Sequence, residues 1–333
     1  MQNAPFVFLF TKEADMIDKK ILRVGTLVIA GAVLLRLTIP YWTPAVEAAQ
    51  QLQLAQVILF LQTGRVVRYA PPPEQSNPPE ETEPPTAQAV FSESDQSLVS
   101  LRTDSGQTAD VSAALAQPLS WDLYAQQPTV LIIHSHGSES YKKTEDYTES
   151  ASYRTQNTDY NVVSVGDLLA EELEKAGICV IHDRTMYDVP SYNNAYVQAR
   201  TAIETHLEST PSICLVLDLH RDAATDSAGN QIRYTVATPE GEAAKVMLVL
   251  GSNHQGWETN LALAAKLQVQ LERQVSGICR PINVRAQRFN QDLCPGTILV
   301  EMGATGNSRQ EALLSAKYLA QAIISLAPGF TPS

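Results

Sequence analysis

The chain has 333 residues, a formal net charge of −12, 44% hydrophobic residues and 18% charged residues. This composition is typical of a globular protein, and the length allows one large domain with appendages or two small domains. Because non-specific binding to DNA or RNA relies on Lys and Arg to neutralise phosphates, the acidic balance argues against a nucleic-acid partner.

An apolar segment near the N-terminus predicts a membrane anchor. Residues 21–42 read ILRVGTLVIAGAVLLRLTIPYW, which is close to the ~20 residues that a spanning helix needs. Lys19 and Lys20 precede this segment and Trp42 ends it, so residues 1–20 are expected in the cytoplasm and the remainder outside it. A cleavable signal peptide with its cleavage site near residues 45–49 is the alternative, which we favour less.

Two further segments precede the globular part of the chain. Residues 43–69 contain QLQLAQVILFLQ, which is too short and too polar to span a membrane and predicts an amphipathic juxtamembrane helix. Residues 70–89 are rich in Pro and Glu and predict an extended linker. Residues 90–333 then form the predicted globular domain. Met16 begins a more usual anchor sequence than Met1, and the sequence leaves the true start open.

Strand and helix patterns alternate along residues 90–333. Short apolar, β-branched runs predict five strands, at residues 129–133, 179–182, 213–219, 245–250 and 297–302. Helical spacing predicts helices at residues 162–176, 196–207 and 263–271, and a further helix that begins with a capping box formed by Ser308 and Glu311. Strands that are apolar on both faces and alternate with helices indicate a three-layer α/β domain with a central, mostly parallel sheet.

Metal-ligating side chains occur at the ends of three of these strands. In parallel sheets, binding sites lie beyond the carboxyl ends of the strands. His136 and Glu139 are three residues apart after the first strand, so they face one side of a turn, and His220 ends another strand. Two histidines and one carboxylate are the ligand set of hydrolytic zinc enzymes, which keep a fourth position for water. Glu301, at the end of the last strand, is placed to serve as the general base.

Several assignments remain open at this point. Either His134 or His136 is the metal ligand, and the other then lies beside it without binding the metal. We favour His136 as the ligand because of its spacing to Glu139. Arg221 is a candidate to bind a substrate carboxylate or carbonyl, and equally a partner for Asp222. The four cysteines form no CxxC pair, which argues against a structural zinc site. The sequence does not decide whether Cys279 and Cys294 pair.

Four motifs make the chain resemble the stage II sporulation protein P family of endospore-forming bacteria. They are HSHGSESY (134–141), LDLHRDA (217–223), RFNQDLCPGTILVEMG (288–303) and NSRQEA (307–312). This resemblance implies a fold like that of zinc-dependent N-acetylmuramoyl-L-alanine amidases and, more distantly, zinc carboxypeptidases. It implies a membrane-anchored amidase that removes stem peptides from peptidoglycan, with endopeptidase activity on cross-links. It also implies septal wall thinning during engulfment, beside stage II sporulation proteins D and M.

Carried over to this chain, the resemblance implies His136, Glu139 and His220 as zinc ligands and Glu301 as the catalytic residue. Four further residues are expected to contact substrate or to support the ligands, namely His134, Arg221, Asp222 and Asn290. The chain departs from the amidases at the start of the helix after the first strand, where they carry a glutamate ligand. Here that segment reads TDYNVVSVG, with Asp159 and no glutamate.

Two other functions compete with the amidase. The first is a zinc carboxypeptidase or endopeptidase without amidase activity, for which Arg221, Arg285 and Arg288 are candidates to bind a terminal carboxylate. The second is a non-catalytic scaffold that binds the cell wall. The scaffold predicts a degenerate His/Glu set, whereas all the expected residues are present in this chain.

Overall fold

A seven-stranded sheet organises residues 89–327, which this computed structural model describes apart from residues 105, 120, 144–146 and 149. The strand order is β1-β8-β7-β9-β4-β2-β3. The strands of this sheet are β1 (Leu101–Thr103), β2 (Val130–Ile133), β3 (Val180–His182), β4 (Leu215–Asp222), β7 (Val246–Gly251), β8 (Ile282–Arg285) and β9 (Thr297–Ala304). A separate antiparallel hairpin contains β5 (Thr235–Thr238) and β6 (Gly241–Ala244).

The main sheet is mostly parallel, as the sequence predicts. Every neighbouring pair of its strands is parallel except β7 and β9. The five predicted strands are present within a few residues of their predicted bounds; four of them are apolar runs buried on both faces, and the edge strand β3 is half-buried. The sequence pattern did not predict β1, β8 or the β5–β6 hairpin.

Five helices flank the sheet: α1 (Val111–Ala116), α2 (Val162–Lys175), α3 (Ala195–Ser209), α4 (Trp257–Gln274) and α5 (Arg309–Leu326). Asn161 caps α2 by accepting a hydrogen bond from the backbone N–H of Val163. Ser308 and Glu311 form the predicted capping box at the start of α5. The four helices predicted within residues 90–333 are therefore confirmed, and α1 is an addition.

Different helices pack on the two faces of the sheet. Helices α1, α2, α4 and α5 pack on one face around a large apolar core. On the other face, α3 packs through Ala199 and Ile203 against β2 and β4. Leu219 and Val300 belong to the core of the four-helix face. Side chains alternate along a strand, so His220 and Glu301 project toward the face that carries α3.

The predicted anchor (21–42), its cytoplasmic flank (1–20), the juxtamembrane helix (43–69) and all but the last residue of the linker (70–89) lie outside the described residues. Among the residues that are described, none of the helices combines the length and the apolar character that a membrane crossing requires. The four cysteines, all in the described part, are free thiols. Cys279 and Cys294 do not pair: Cys279 packs against the core of the four-helix face and Cys294 packs in the cluster on the α3 face.

Candidate metal centre

The site lies where β2, β4 and β9 end. Strand pairing places His220 of β4 directly beside Glu301 of β9. Ile133, the last residue of β2, is opposite Asp218 of β4, so the segment that follows β2 passes over the end of β4. The carboxyl ends of these parallel strands thus bring together residues that are far apart in sequence.

His136, Glu139 and His220 form one buried group. Each offers one ligand atom, and these atoms all lie within 4.8 Å of one another. His136 Nδ1 is 3.6 Å from Glu139 Oε1, and His220 Nδ1 is 3.5 Å from Glu139 Oε2. The backbone N–H of Glu139 donates to the carbonyl of His136, so the predicted turn exists and presents both side chains on one side.

Arg221 is the main group that keeps Glu139 charged. The backbone N–H of Arg221 donates to Glu139 Oε2 at 3.0 Å, and its guanidinium lies 3.5 Å from Oε1. Arg154 Nη2 lies 3.7 Å from the same Oε1. Burial alone would raise the pKa of Glu139, but Arg221 and His220 hold this pKa below its usual range. The carboxylate is therefore available as an anionic ligand.

The two histidines have opposite electrostatic environments. Burial, followed by the nearby charge of His220, lowers the pKa of His136 to about 4, so this ring is neutral at neutral pH. Burial also acts to lower the pKa of His220, but the carboxylates of Asp218 and Glu139 raise it well above its usual value. His220 Nε2 lies 2.9 Å from Asp218 Oδ1 without hydrogen-bond geometry. Asp218 is itself fixed by the backbone N–H and the hydroxyl of Ser135.

The donor set is compatible with a divalent metal ion. Ligand bonds of about 2.0–2.1 Å at tetrahedral angles would separate donor atoms by roughly 3.4 Å. The Nδ1 atoms of His136 and His220 lie 3.6 Å and 3.5 Å from different oxygens of Glu139, and both distances are close to that spacing. Two buried polar atoms at the site, His220 Nε2 and Glu301 Oε2, have no hydrogen-bond partner among the residues that the structure describes. A buried set of two imidazoles and one carboxylate with such neighbours is compatible with a bound divalent metal.

Glu301 lies next to the three candidate ligands and is half-buried, with its Oε2 atom enclosed by protein. Burial raises the pKa of Glu301, with Glu139 and Asp222 adding repulsion and His220 acting in the opposite direction. A carboxyl group with a raised pKa can both accept and return a proton near neutral pH.

His134 lies apart from the three candidate ligands. Its Nδ1 contacts the carbonyl of Leu219 at 3.0 Å, and its Nε2 contacts His182 Nε2 at 2.8 Å. His182 Nδ1 in turn lies 3.2 Å from Asp167. A Cβ on Gly166 of α2 would lie 2.6 Å from His182 Nε2, so this glycine is what admits the histidine pair. Both ring nitrogens of His134 are thus engaged, and the geometry favours His136 as the ligand.

The other residues expected at the site lie around it. Arg221 is 3% exposed, and its guanidinium donates to the carbonyls of Ser140 and Tyr153. This geometry favours a role in holding Glu139 over the substrate contact that the sequence suggested. Asp222 pairs with Arg280 at 2.6 Å and not with Arg221. Asn290 donates to the backbone carbonyl of Tyr196, whose ring contacts His136 and His220.

Five residues at the site escaped the sequence analysis. The Tyr192 ring stacks on His136 with centroids 4.4 Å apart and planes 18° apart. Tyr196 contacts both histidine rings. Asp218 supports His220, and Asp188 pairs with Arg154 at 2.8 Å. The sequence YNNAY places two tyrosines four residues apart at the start of a helix, and this spacing was the available sign that both rings face the site. Asp159 is exposed and lies outside the group.

Comparison with known proteins identifies a family. The model of the family described as Stage II sporulation protein P (SpoIIP) matches residues 49–324. The stage II sporulation protein P of Bacillus subtilis (strain 168) is 27% identical over 199 residues, which are 55% of this chain and 47% of the relative. The match therefore spans about half the length of that curated relative.

Two solved structures are also similar to this chain. They are the N-acetylmuramoyl-L-alanine amidase from Clostridium difficile 630 and the CwlD amidase from Clostridioides difficile in complex with the GerS lipoprotein. Each is 15% identical with a TM-score of 0.36, and each match covers 60% of this chain and 97% or 95% of the other. The family match covers well over half of the chain and includes every residue of the site, and the chain belongs to the stage II sporulation protein P family.

Proposed function

We propose that this protein is a zinc-dependent N-acetylmuramoyl-L-alanine amidase that acts on peptidoglycan, with a further endopeptidase activity on peptide cross-links. The observation that carries the proposal is the buried His136–Glu139–His220 group with Glu301 beside it. His136, Glu139 and His220 would hold the zinc. A zinc ion bound there would polarise the scissile carbonyl and lower the pKa of a water molecule toward ~7.

Residues around the ligands prepare them for this role. Arg221 keeps Glu139 ionised, and the Asp218 carboxylate lies 2.9 Å from His220 Nε2. Burial keeps His136 neutral, so its nitrogen lone pair is available without loss of a proton. These contacts reduce the reorganisation that metal binding requires.

Glu301 moves the proton of the reaction. It would accept a proton from the attacking water and return it to the nitrogen of the amide as the C–N bond breaks. The products are a carboxylate and an amine, here the lactyl carboxylate of muramic acid and the amino group of alanine. The raised pKa of Glu301, caused by burial, suits a group that must first accept and then donate.

Family membership and the N-terminal sequence support a proposed cellular setting. Residues 21–42 would anchor the chain in the cell membrane, with the hydrolytic domain outside the cytoplasm. We propose that the enzyme thins the septal wall during engulfment in sporulation, in the space between mother cell and forespore. Stage II sporulation proteins D and M are the proposed partners.

Digestion of purified peptidoglycan tests the proposed activity. The wild-type chain should release new alanine amino groups and leave free lactyl groups on muramic acid. Glu301→Gln should bind zinc as the wild type does and release neither group. Loss of terminal residues alone would identify a carboxypeptidase. Full activity of Glu301→Gln would remove Glu301 from the reaction.

A further inference from the structure

A partly exposed arginine stands at the edge of the candidate metal centre. Arg154 Nη1 donates to the Asp188 carboxylate at 2.8 Å and lies 3.4 Å from the hydroxyl of Ser138. The Asp188 side chain is 1% exposed, whereas that of Arg154 is 27% exposed. A buried carboxylate therefore fixes one end of the guanidinium while part of it stays open to solvent.

The second terminal nitrogen of this arginine points toward the centre. Arg154 Nη2 is 3.7 Å from Glu139 Oε1, which is beyond hydrogen-bond range. An arginine carries five N–H donors. In the hydrogen bonds that the Arg154 guanidinium makes to described residues, the donor atom is Nη1. Donors next to a candidate metal ligand are thus left for another acceptor.

An exposed aromatic ring adjoins the same arginine. The guanidinium carbon of Arg154 lies 4.4 Å from the centroid of the Tyr192 ring, and that ring stacks on His136. Tyr192 is 51% exposed although its ring lies against a buried histidine. Together, Arg154 and Tyr192 place a guanidinium and an aromatic ring beside the candidate ligands, on a surface that solvent can reach.

We propose that Arg154 is a specificity-determining residue that binds a carboxylate in the peptide part of the substrate, next to the scissile bond. This inference rests on the proposed function. A planar guanidinium matches a carboxylate better than any other side chain, and its fixed orientation reduces the entropy lost on binding. The buried Arg221 has no such access, because its donors are committed to two backbone carbonyls and Glu139.

Binding of two synthetic peptides to the zinc-loaded full chain tests this role. The probes are N-acetyl-alanyl-glutamate and the same peptide with both carboxyl groups amidated, measured by calorimetry. The wild type should bind the acid at least about tenfold more tightly than the amide, as one charge-assisted contact predicts. Arg154→Ala and Arg154→Gln should bind the two peptides equally and keep their zinc. Arg154→Lys should keep part of the preference.

A matched arginine elsewhere supplies the control. Arg273 also pairs with a buried aspartate, Asp95, at 2.8 Å, and lies over the ring of Phe91, yet it is at the end of α4. Arg273→Ala should keep the wild-type preference for the acid. Three results would overturn the proposal: equal binding of both peptides by the wild type, an unchanged preference in Arg154→Gln, or equal weakening of both peptides together with loss of zinc. A wall digest without new amino groups would instead refute the amidase activity, and the peptide preference would remain measurable.

Discussion

Replacing Arg221 by methionine separates a structural role for this residue from the substrate contact that its sequence position suggests. The guanidinium is buried, donates to two backbone carbonyls at 2.9 Å and 2.8 Å, and lies 3.5 Å from Glu139. Methionine would leave those carbonyls without these donors and Glu139 without its main counter-charge. Removing one partner of a buried ion pair costs roughly 3–5 kcal/mol. For a domain of this size, this corresponds to a drop in melting temperature of about 6–20 °C.

Urea and thermal unfolding of the metal-free chain measure this loss. Arg184→Met is the matched control, because Arg184 is 38% exposed and its ion pair with Asp167 should contribute less than about 1 kcal/mol. Added zinc should reduce the loss in Arg221→Met, since a bound cation would offset the charge of Glu139. If Arg221→Met unfolds within about 1 kcal/mol of the wild type and only the KM rises, Arg221 contacts substrate and the structural role is refuted.

Three further variants probe the surroundings of the site. Asp218→Asn should weaken zinc binding by roughly 10–100-fold in a chelator competition, because His220 loses its orienting carboxylate; unchanged affinity would show that Asp218 is dispensable. Gly166→Ala should lower the free energy of unfolding by about 1–3 kcal/mol, because the added methyl would overlap two histidine rings; an unchanged value would mean that the rings can shift. Burial acts to raise the pKa of Asp183, but hydrogen bonds from His206, Tyr187 and Thr185 lower it below its usual value. The ionised Asp183 therefore stabilises the fold above the unfolded-state pKa of ~3.9, and this stabilisation is lost as the pH falls from there toward the lower pKa of the folded state. Asp183→Asn should be less stable than the wild type at pH 7 and approach it in acid. A difference in the free energy of urea unfolding that stays constant across pH would contradict this expectation.

The sequence predicted the sheet and the candidate ligands because both depend on local patterns. Apolar runs mark the buried strands, and polar residues that directly follow such runs must meet at one edge of a parallel sheet. His136, Glu139 and His220 are of this kind, and the structure brings them together. The three-residue strand β1 and the hairpin strands β5 and β6 are too short or too exposed to produce a comparable pattern.

The roles of the arginines could not be predicted, since they depend on how a loop returns to the site. An isolated antiparallel β-bridge between Glu139 and Arg154 brings the loop that contains Arg154 beside the ligands. Arg221 donates to the carbonyl of Tyr153 in the same loop. Nothing in the spacing of Arg154 and Arg221 shows which one is buried. The same holds for Tyr192, whose ring reaches His136 across a long sequence separation.

Zinc content is the most direct measurement of the proposed metal site. Elemental analysis of the purified chain should give about one zinc per molecule in the wild type and in His254→Ala, because His254 lies outside the ligand group. His136→Ala and His220→Ala should each lose the zinc while remaining folded. The proposed metal site would be contradicted by a folded wild type that takes up no zinc after zinc is added. Retention of zinc in both ligand variants would contradict it as well.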